Sequence, residues 1–410
     1  MRSEWTEFPL SELATFRYGK FLPKAALQER GYPVFSGYGI VGFLPDFQFK
    51  EPQLLIVCRG EGGTGDVKMS PATCSITNLS IVISPKESRV VRSFLYWALK
   101  AGDTHRLRTG SAQAQIVIGA LEKFPVSIPS SLDTQRSIAS VLDALDARIA
   151  LLHRTNTTFE KIVQALFKSW FIDFDPVHAK ADGREPEGVN AATAALFPTE
   201  FEESVLGLIP KGWQVGRLGD VLRQRVERTK PSDETAATPY VPIECISSKS
   251  VFLTEFFPGE QARSSLSLFR KGDVLFGAMR PYFHKVCLAP FDGVTRTTAF
   301  VLQPDARYRA FALFAAFHDS TIEYATTHSE GSTIPYAKWT GSLENKALVI
   351  PPAAIAAAFE AIVAPLLDAG IHNTERAKGL ADARDALVPR LMTGKLRLPE
   401  AEDQIEEAIA

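Results

Sequence analysis

The feature that most constrains this chain is that it repeats itself, in order, over almost its whole length. Trp5-Thr-Glu-Phe-Pro-Leu-Ser-Glu-Leu13 aligns with Trp213-Gln-Val-Gly-Arg-Leu-Gly-Asp-Val221 at an offset of 208. Gln53-Leu-Leu-Ile-Val57 aligns with Asp273-Val-Leu-Phe-Gly277 at 220, and Thr77-Asn-Leu-Ser-Ile-Val82 with Thr297-Thr-Ala-Phe-Val-Leu302 at 220 again. Leu121-Glu-Lys-Phe-Pro-Val-Ser-Ile-Pro129 aligns with Leu343-Glu-Asn-Lys-Ala-Leu-Val-Ile-Pro351 at 222. Each match is short. Their collinearity, with an offset that grows only by small insertions, is what a duplicated module leaves behind. At 410 residues the chain is long enough for two such modules, each with its own core.

Within each copy the first part reads as mixed short strands and helices. Leu54-Leu-Ile-Val57, Leu79-Ser-Ile-Val-Ile83 and Val274-Leu-Phe276 are apolar, β-prone runs set between turn residues. Ser93-Phe-Leu-Tyr-Trp-Ala-Leu99 and Phe311-Ala-Leu-Phe-Ala-Ala-Phe317 read as short buried helices. The expectation is an α+β domain at 1–130 and a second at 209–350.

The second part of each copy is different. From Asp133, the residues Ile138, Leu142, Leu145, Ile149, Leu152, Asn156, Phe159, Val163, Leu166 and Trp170 recur at spacings of three and four. A heptad stripe of that length predicts a coiled-coil helix, and the polar Asn156 in its seam predicts a fixed register. Running from Asp133 to Phe171, the helix would be about 55 Å long. In the second copy the seam reads Val363, Leu366, Gly370, Asn373, Ala377, Leu380, Leu387 and Leu391, where Pro365 and Gly370 are expected to kink or delay the helix. The two helices are expected to pair antiparallel, occupying 131–175 and 351–397. An acidic linker at 176–208 and an acidic tail at 398–410 complete the organisation.

Charge follows the same division. The net charge is −2, yet residues 1–130 carry 15 basic against 11 acidic side chains and residues 211–346 carry 17 against 14. Two mildly basic globular regions joined by acidic connectors fit contact with DNA through patches, not indiscriminate coating. No C-x-x-C pair occurs and no His stands at zinc-ligand spacing, so Cys58, Cys74, Cys245 and Cys287 are expected to be reduced and buried. No apolar run approaches the roughly 20 residues of a membrane span, and no signal-peptide core follows Met1. The expected location is the cytoplasm.

The residues closing the first helix carry a family resemblance. Ala165-Leu-Phe-Lys-Ser-Trp-Phe-Ile-Asp-Phe-Asp-Pro-Val-His-Ala-Lys180, followed by Gly183-Arg-Glu-Pro-Glu-Gly188, resembles the central repeat region of type I restriction-modification specificity subunits. Ala386-Leu-Val-Pro-Arg-Leu-Met-Thr-Gly-Lys-Leu396 resembles their distal repeat, and Lys271-Gly-Asp-Val-Leu-Phe276 and Gly331-Ser-Thr333 are similar to segments of their recognition domains. The resemblance implies a non-catalytic subunit that reads a split, asymmetric DNA sequence. Its paired helices would set the unread gap and dock two modification subunits, with restriction subunits joining that core. S-adenosylmethionine, ATP and magnesium would then sit on the partners, with no cofactor bound directly. Bases read by the family vary with target, so no base contact carries over.

The sequence shows no coherent catalytic motif. No N/D-P-P-Y/F segment is present, the only Pro-Pro being Pro351-Pro352 before Ala353. Gly60-Glu-Gly-Gly-Thr-Gly65 has the glycine spacing of a phosphate loop, but Asp66 and Val67 stand where Lys and Ser/Thr are needed. Pro304-Asp305 and Glu344-Asn-Lys346 supply the letters of a metal-dependent nuclease too far apart to be one site. The expectation is no catalytic and no metal residue.

DNA reading needs Arg, Lys, Asn or Gln on base edges and basic or hydroxyl side chains on phosphates. The first domain offers Lys20, Lys24, Arg59, Arg106, Arg108, Gln113 and Gln115; the second offers Arg280, Tyr282, His284, Lys285, Ser332, Thr333, Tyr336 and Lys338. The loops 106–115 and 331–338 are favoured because they occupy equivalent places in the repeat, and Arg280 is favoured singly. For the helices, Leu142, Leu145, Ile149, Leu152, Asn156, Phe159, Leu166, Trp170, Phe171, Leu366, Leu380, Leu387 and Leu391 are the expected spacer and partner face. The fold expected is α+β, two target-recognition domains joined by antiparallel coiled-coil helices with pseudo-two-fold symmetry. Two rivals stay open: a coiled-coil scaffold with protein-binding lobes, separable by a DNA-binding assay, and a stand-alone methyltransferase or nuclease, separable by an activity assay.

Overall fold

The computed structural model describes residues 5–60, 62–110, 114–331 and 333–409. The chain divides into two compact units, Met1–Ile149 with Gly379–Ala410, and Ala150–Lys378.

The first unit contains β1 (Trp5–Pro9), β2 (Ala14–Tyr18), β3 (Tyr32–Phe35), β4 (Ile40–Leu44), β5 (Leu54–Val57), β6 (Val67–Met69), β7 (Ser75–Ile76), β8 (Ser80–Pro85) and β9 (Pro125–Pro129). They sort into an antiparallel sheet of order β2-β8-β5-β6, a sheet β4-β3-β7 and the pair β1-β9. The run 54–57 is apolar at every position because both faces of β5 are covered. Leu55 and its cross-strand partner Val82 pack with Phe49, Cys74 and Ile76. Helix α1 (Arg92–Ala101) buries Phe94, Leu95, Trp97 and Leu99.

The strands of the second unit begin with a hairpin, β10 (Phe201–Ser204) and β11 (Gly207–Pro210). It continues through β12 (Gln214–Arg217), β13 (Leu222–Gln224), β14 (Arg228–Thr229), β15 (Pro239–Tyr240) and β16 (Phe257–Pro258). Then come β17 (Leu266–Phe269), β18 (Val274–Gly277), β19 (Val286–Leu288), β20 (Gly293–Arg296), β21 (Ala299–Pro304) and β22 (Ala347–Ile350). The antiparallel sheet β13-β21-β18-β19 matches β2-β8-β5-β6 strand for strand, and β12-β22 matches β1-β9. The parallel pair β15-β20 stands where β3-β7 does, inside a larger five-stranded sheet. That sheet draws on residues between 221 and 273, the interval in which the repeat offset grows from 208 to 220. Helix α3 (Arg309–Phe317) takes the place of α1, buried along 310–317.

Two long helices follow the two domains, α2 (Leu132–Phe171) and α4 (Ala353–Leu391). Pro365 and Gly370 do not delay α4, which starts at Ala353 and is continuous through both. Pro365 is exposed and costs one backbone hydrogen bond, while Phe359, Val363 and Leu367 on the buried face hold the helix across it. The stripe on α2 also drifts. Ile138, Leu142, Leu145, Leu152 and Asn156 are buried and Ile149 is half-buried, but beyond them Phe159 and Leu166 are only half-buried. Glu160 and Phe167 take those places, since a helix of 3.6 residues per turn gains on a 3.5-residue repeat. On α4 the same one-residue shift puts Leu367 and Thr374 inside where Leu366 and Asn373 were expected.

Within the second unit Asn156 is satisfied from α4. Its Nδ2 donates to the Gly370 carbonyl (2.8 Å) and to Thr374 Oγ1 (3.0 Å), while Asn373 Nδ2 donates to Asn156 Oδ1 (2.9 Å). Any one-turn slip would leave these buried groups unpaired, so the layer fixes register. In the first unit the Arg384 guanidinium pairs with Asp146 and Asp385.

The long helices also cap and clamp the domains. Gln135 Oε1 accepts from Val91 N (2.8 Å) at the start of α1, and Glu360 Oε2 accepts from Ala310 N (2.6 Å) at the start of α3. Glu160 Oε1 accepts from Ser250 Oγ (2.6 Å) and Val251 N (2.8 Å). Burial raises the Glu160 carboxyl above its ordinary 4.5, so this group's contribution to stability falls as pH rises from 4.5 through the raised value. Glu160→Gln keeps both bonds on Oε1 without the buried charge, and is expected to leave stability at pH 7 unchanged or raised while flattening that pH dependence. Glu160→Ala orphans Ser250 and Val251 and is expected to cost about 1–3 kcal/mol in urea unfolding. Equal losses in both variants would contradict the assignment.

The connectors are more structured than linker and tail suggest. Short helices at Asp175–Ala181 and Ala191–Leu196 precede the β10-β11 hairpin, and 398–410 begins as helix α5 (Leu398–Ile409). One reading is corrected by composition. The alanine-rich α4 contains an 18-residue stretch apolar enough to cross a membrane, and in this fold it buries one face against the second domain.

Candidate nucleic-acid interface

Both units end the four-stranded sheet in the same way. Beyond β5, the Cys58 carbonyl accepts from Ile116 N (3.0 Å), Arg59 bridges Gln115, and Gln115 exchanges two backbone bonds with Thr109 (2.9 Å each). Beyond β18, the Ala278 carbonyl accepts from Ala337 N (2.9 Å), Met279 bridges Tyr336, and Tyr336 exchanges two bonds with Glu330 (2.8 and 3.0 Å). The pairs 59/279, 115/336 and 109/330 keep offsets of 220 and 221. Two loops favoured in the sequence are thus strapped, in each unit, to the turn that carries Arg59 or Arg280.

In the first unit this brings several candidates together. Arg59 is exposed, its guanidinium 5.7 Å from the Tyr18 ring centroid, and its carbonyl accepts from Tyr38 Oη (3.0 Å). Arg108 Nε donates to the Thr64 carbonyl (2.6 Å) beside His105, whose ring lies near Asp66. Gln115 is exposed and lies at the bridge. Lys20, exposed, is bridged to Thr77, and Lys24, also exposed, begins a short 3₁₀ turn. Arg106 lies over the Phe124 ring at 5.1 Å, outside this strap. Gln113 lies outside the described residues. The glycine spacing at 60–65 is accounted for by backbone: Gly60, Gly62 and Gly65 all have positive φ, and at Gly60 a Cβ would strike the Tyr38 ring.

The second unit sorts its candidates differently. Arg280 occupies the place of Gly60 and shares its positive φ (51°), an uncommon conformation for a residue with a Cβ. Its backbone N donates to the Pro335 carbonyl (2.7 Å), while its Nε is buried with no partner among the described residues. Thr298, whose carbonyl accepts from Ala278 N (2.9 Å), has a similarly unpartnered Oγ1. Tyr282 and Thr333 are exposed. Lys338 is exposed and paired to Glu330 (2.6 Å). Tyr336 donates its hydroxyl to the Thr297 carbonyl. Ser332 lies outside the described residues.

His284 is a correction. Its ring is buried, with Nε2 on the Phe317 carbonyl (2.7 Å) and Nδ1 3.4 Å from Asp319, and burial depresses its pKa. It anchors the turn and is not free to read DNA. Lys285 is corrected in part, because its ammonium is held on the Ile243 carbonyl (2.7 Å). Exposed Lys249, which sequence reasoning passed over, follows Ser248 alongside this turn. Only the fold could reveal it, since it lies 31 residues upstream of Arg280 in the chain.

All four cysteines are free and buried, and burial lifts their thiols, Cys245 to about 11 and Cys287 to about 12. They stay protonated near neutral pH and are poor nucleophiles. No group of three His, Cys, Asp or Glu side chains is placed to hold a metal ion among the described residues.

Comparison with known proteins points one way. The family model described as type I restriction modification DNA specificity domain matches residues 2–161. The type I restriction enzyme MjaIX specificity subunit of Methanocaldococcus jannaschii is 27% identical over 368 residues, covering 86% of this chain and 79% of that one. The HindI specificity subunit of Haemophilus influenzae is 25% identical over 379 residues, covering 77% and 80%. A crystal structure of the type I restriction-modification system S subunit from M. genitalium superposes with a TM-score of 0.61 at 15% identity, covering 95% of this chain and 96% of that one. The last likeness is one of fold.

Proposed function

We infer that this chain, which belongs to the family of type I restriction-modification DNA-specificity subunits, selects a bipartite, asymmetric DNA sequence and performs no catalysis itself. The domains at 1–130 and 209–350 each read one half-site through the strapped turns around Arg59 and Arg280. The observation that carries this is the repeated strap: two units with the same four-stranded sheet order present different side chains at the same place. That is how one duplicated scaffold reads two different sequences. The helices at 131–175 and 351–397 act as an antiparallel coiled-coil spacer and, on their outward faces, as a dock for two modification subunits, with restriction subunits joining them. S-adenosylmethionine, ATP and magnesium belong on those partners, and the assembly works in the cytoplasm.

The test is co-expression with a type I modification subunit and mapping of methylated adenines across a genome. An interrupted asymmetric motif is expected; methylation without sequence preference, or none from an intact complex, would overturn the reading. Arg280→Ala should then weaken binding to the second half-site by about 1–3 kcal/mol if the guanidinium meets a guanine edge, with relaxed preference at one base pair. A phosphate contact would instead weaken all sequences alike and reduce the salt slope by about one. An unchanged affinity, motif and salt slope would remove Arg280 from the interface.

A further inference from the structure

The turn after Arg280 is built unlike its counterpart in the first unit. Residues 280–284 contain two non-glycine residues in the left-handed region, Arg280 and His284, each at φ 51°. Between them runs the short helical turn Pro281–Phe283. Such backbone costs on the order of 1–3 kcal/mol per residue and persists only where surroundings enforce it. They do so here. Pro281 and His284 are buried, the His284 carbonyl accepts from Lys249 N (2.8 Å), and Ser248 Oγ donates to the Phe283 carbonyl.

What this rigid base holds outward is a pair of adjacent aromatic rings. Tyr282 is 49% and Phe283 45% exposed, with ring centroids 4.8 Å apart. Adjacent apolar rings rimmed by polar side chains are the kind of surface that marks an interaction site. Their immediate surroundings are cationic: Arg280 with its unpartnered Nε, exposed Lys249 and half-buried Lys285, against Asp319 beside His284. That charge fits a polyanion better than an apolar protein face. The matching turn of the first unit, 60–66, holds glycines and no aromatic.

Building on the DNA-specificity reading above, we propose that Tyr282 and Phe283 form an aromatic wedge that enters the second half-site and unstacks one base step. Arg280 and Lys249 hold the flanking backbone while the rings occupy the opened step, so part of the second half-site is read through its deformability. The first half-site, facing a glycine turn, is read without such a kink. Pyrimidine–purine steps, the easiest to unstack, are favoured at the wedge.

The experiment uses the full chain in complex with its modification subunit and a duplex carrying the mapped motif. 2-Aminopurine is placed, one position at a time, in each half-site away from the methylated adenines. Fluorescence is expected to rise several-fold at one step of the second half-site and nowhere in the first. The double variant Tyr282→Ala/Phe283→Ala is expected to abolish that rise and weaken binding roughly 10- to 100-fold, and Tyr282→Phe to preserve both. Both residues are exposed, so the complex should still assemble, and co-purification of the double variant with the modification subunit checks that it does. A wild-type complex that methylates a split motif with no rise in the second half-site overturns the wedge and leaves the specificity reading standing. A rise that survives the double variant also overturns it. Failure to obtain any motif removes the specificity reading, and the wedge with it.

Discussion

Ending the chain at Asp182 is expected to turn an asymmetric recognition motif into an interrupted palindrome. Such a chain keeps the first domain and the whole of α2 but loses α4, so the buried stripe from Ile138 to Trp170 has no partner. A second copy can supply one by pairing α2 antiparallel with α2, which generates a two-fold axis and demands two-fold symmetry of the DNA site. The repeat states what must fit where. In the first unit Leu387, Leu391 and Met392 of the α4 end are buried; at an offset of 221 the second copy would bring Leu166, Trp170 and Phe171 instead. Leucine fits leucine, but two aromatics replace smaller side chains, an overpacking that costs about 1–3 kcal/mol. The dimer should therefore form, and Trp170→Leu in the shortened chain should tighten it. Methylome mapping of the complex decides the matter: an asymmetric motif, or no methylation from a folded complex, would refute the shared-helix arrangement.

In the full-length chain, Trp170→Ala is expected to have the opposite character, a large loss with no compensating fit. Trp170 is 1% exposed and packs edge-on to Phe197 at 5.1 Å and near Phe359 at 5.9 Å. Phe171 and Phe167, both against Phe311, extend the same aromatic layer between α2, α3 and α4. Removing the indole leaves a cavity that the surrounding rings are too constrained to fill, so about 3–5 kcal/mol should be lost. Hydrogen exchange would locate the effect. Amides of α3, β18 and β21 should lose protection, while β5 and β8 in the first unit keep theirs. Uniform loss across the chain, or a cost under about 1 kcal/mol, would show that the layer does not organise the second unit.

Trp170 and its stripe could be read from spacing alone, because a helix buries residues at three- and four-residue intervals whatever it packs against. Glu160 and Phe167 could not. After Asn156 the stripe shifts by one residue at two places while Val163 and Trp170 keep theirs, and a buried glutamate runs against composition until Ser250 and Val251 appear beside it. The same holds for Gln135 and Glu360, whose roles as helix caps depend on backbone N–H groups 44 and 50 residues away.

The proposed site divides likewise. Collinear repeat offsets located both loops, and they hold within one residue down to the bridges Arg59–Gln115 and Met279–Tyr336. His284 looked as available as Arg280 in a linear list of polar side chains. The fold turns His284 inward onto the Phe317 carbonyl and leaves Arg280 half-buried, with a buried Nε that has no partner among the described residues.

By itself, then, the sequence determined the duplication, the α+β module and the two long helices, because periodicity and collinear offsets are properties of residue order. Tertiary structure decided which face of each helix is buried, which polar groups clamp the domains, and which side chains the strapped turns leave free. Those outcomes depend on hydrogen-bond partners and packing surfaces far apart in the chain, and burial makes each unsatisfied choice cost more than local preference can repay.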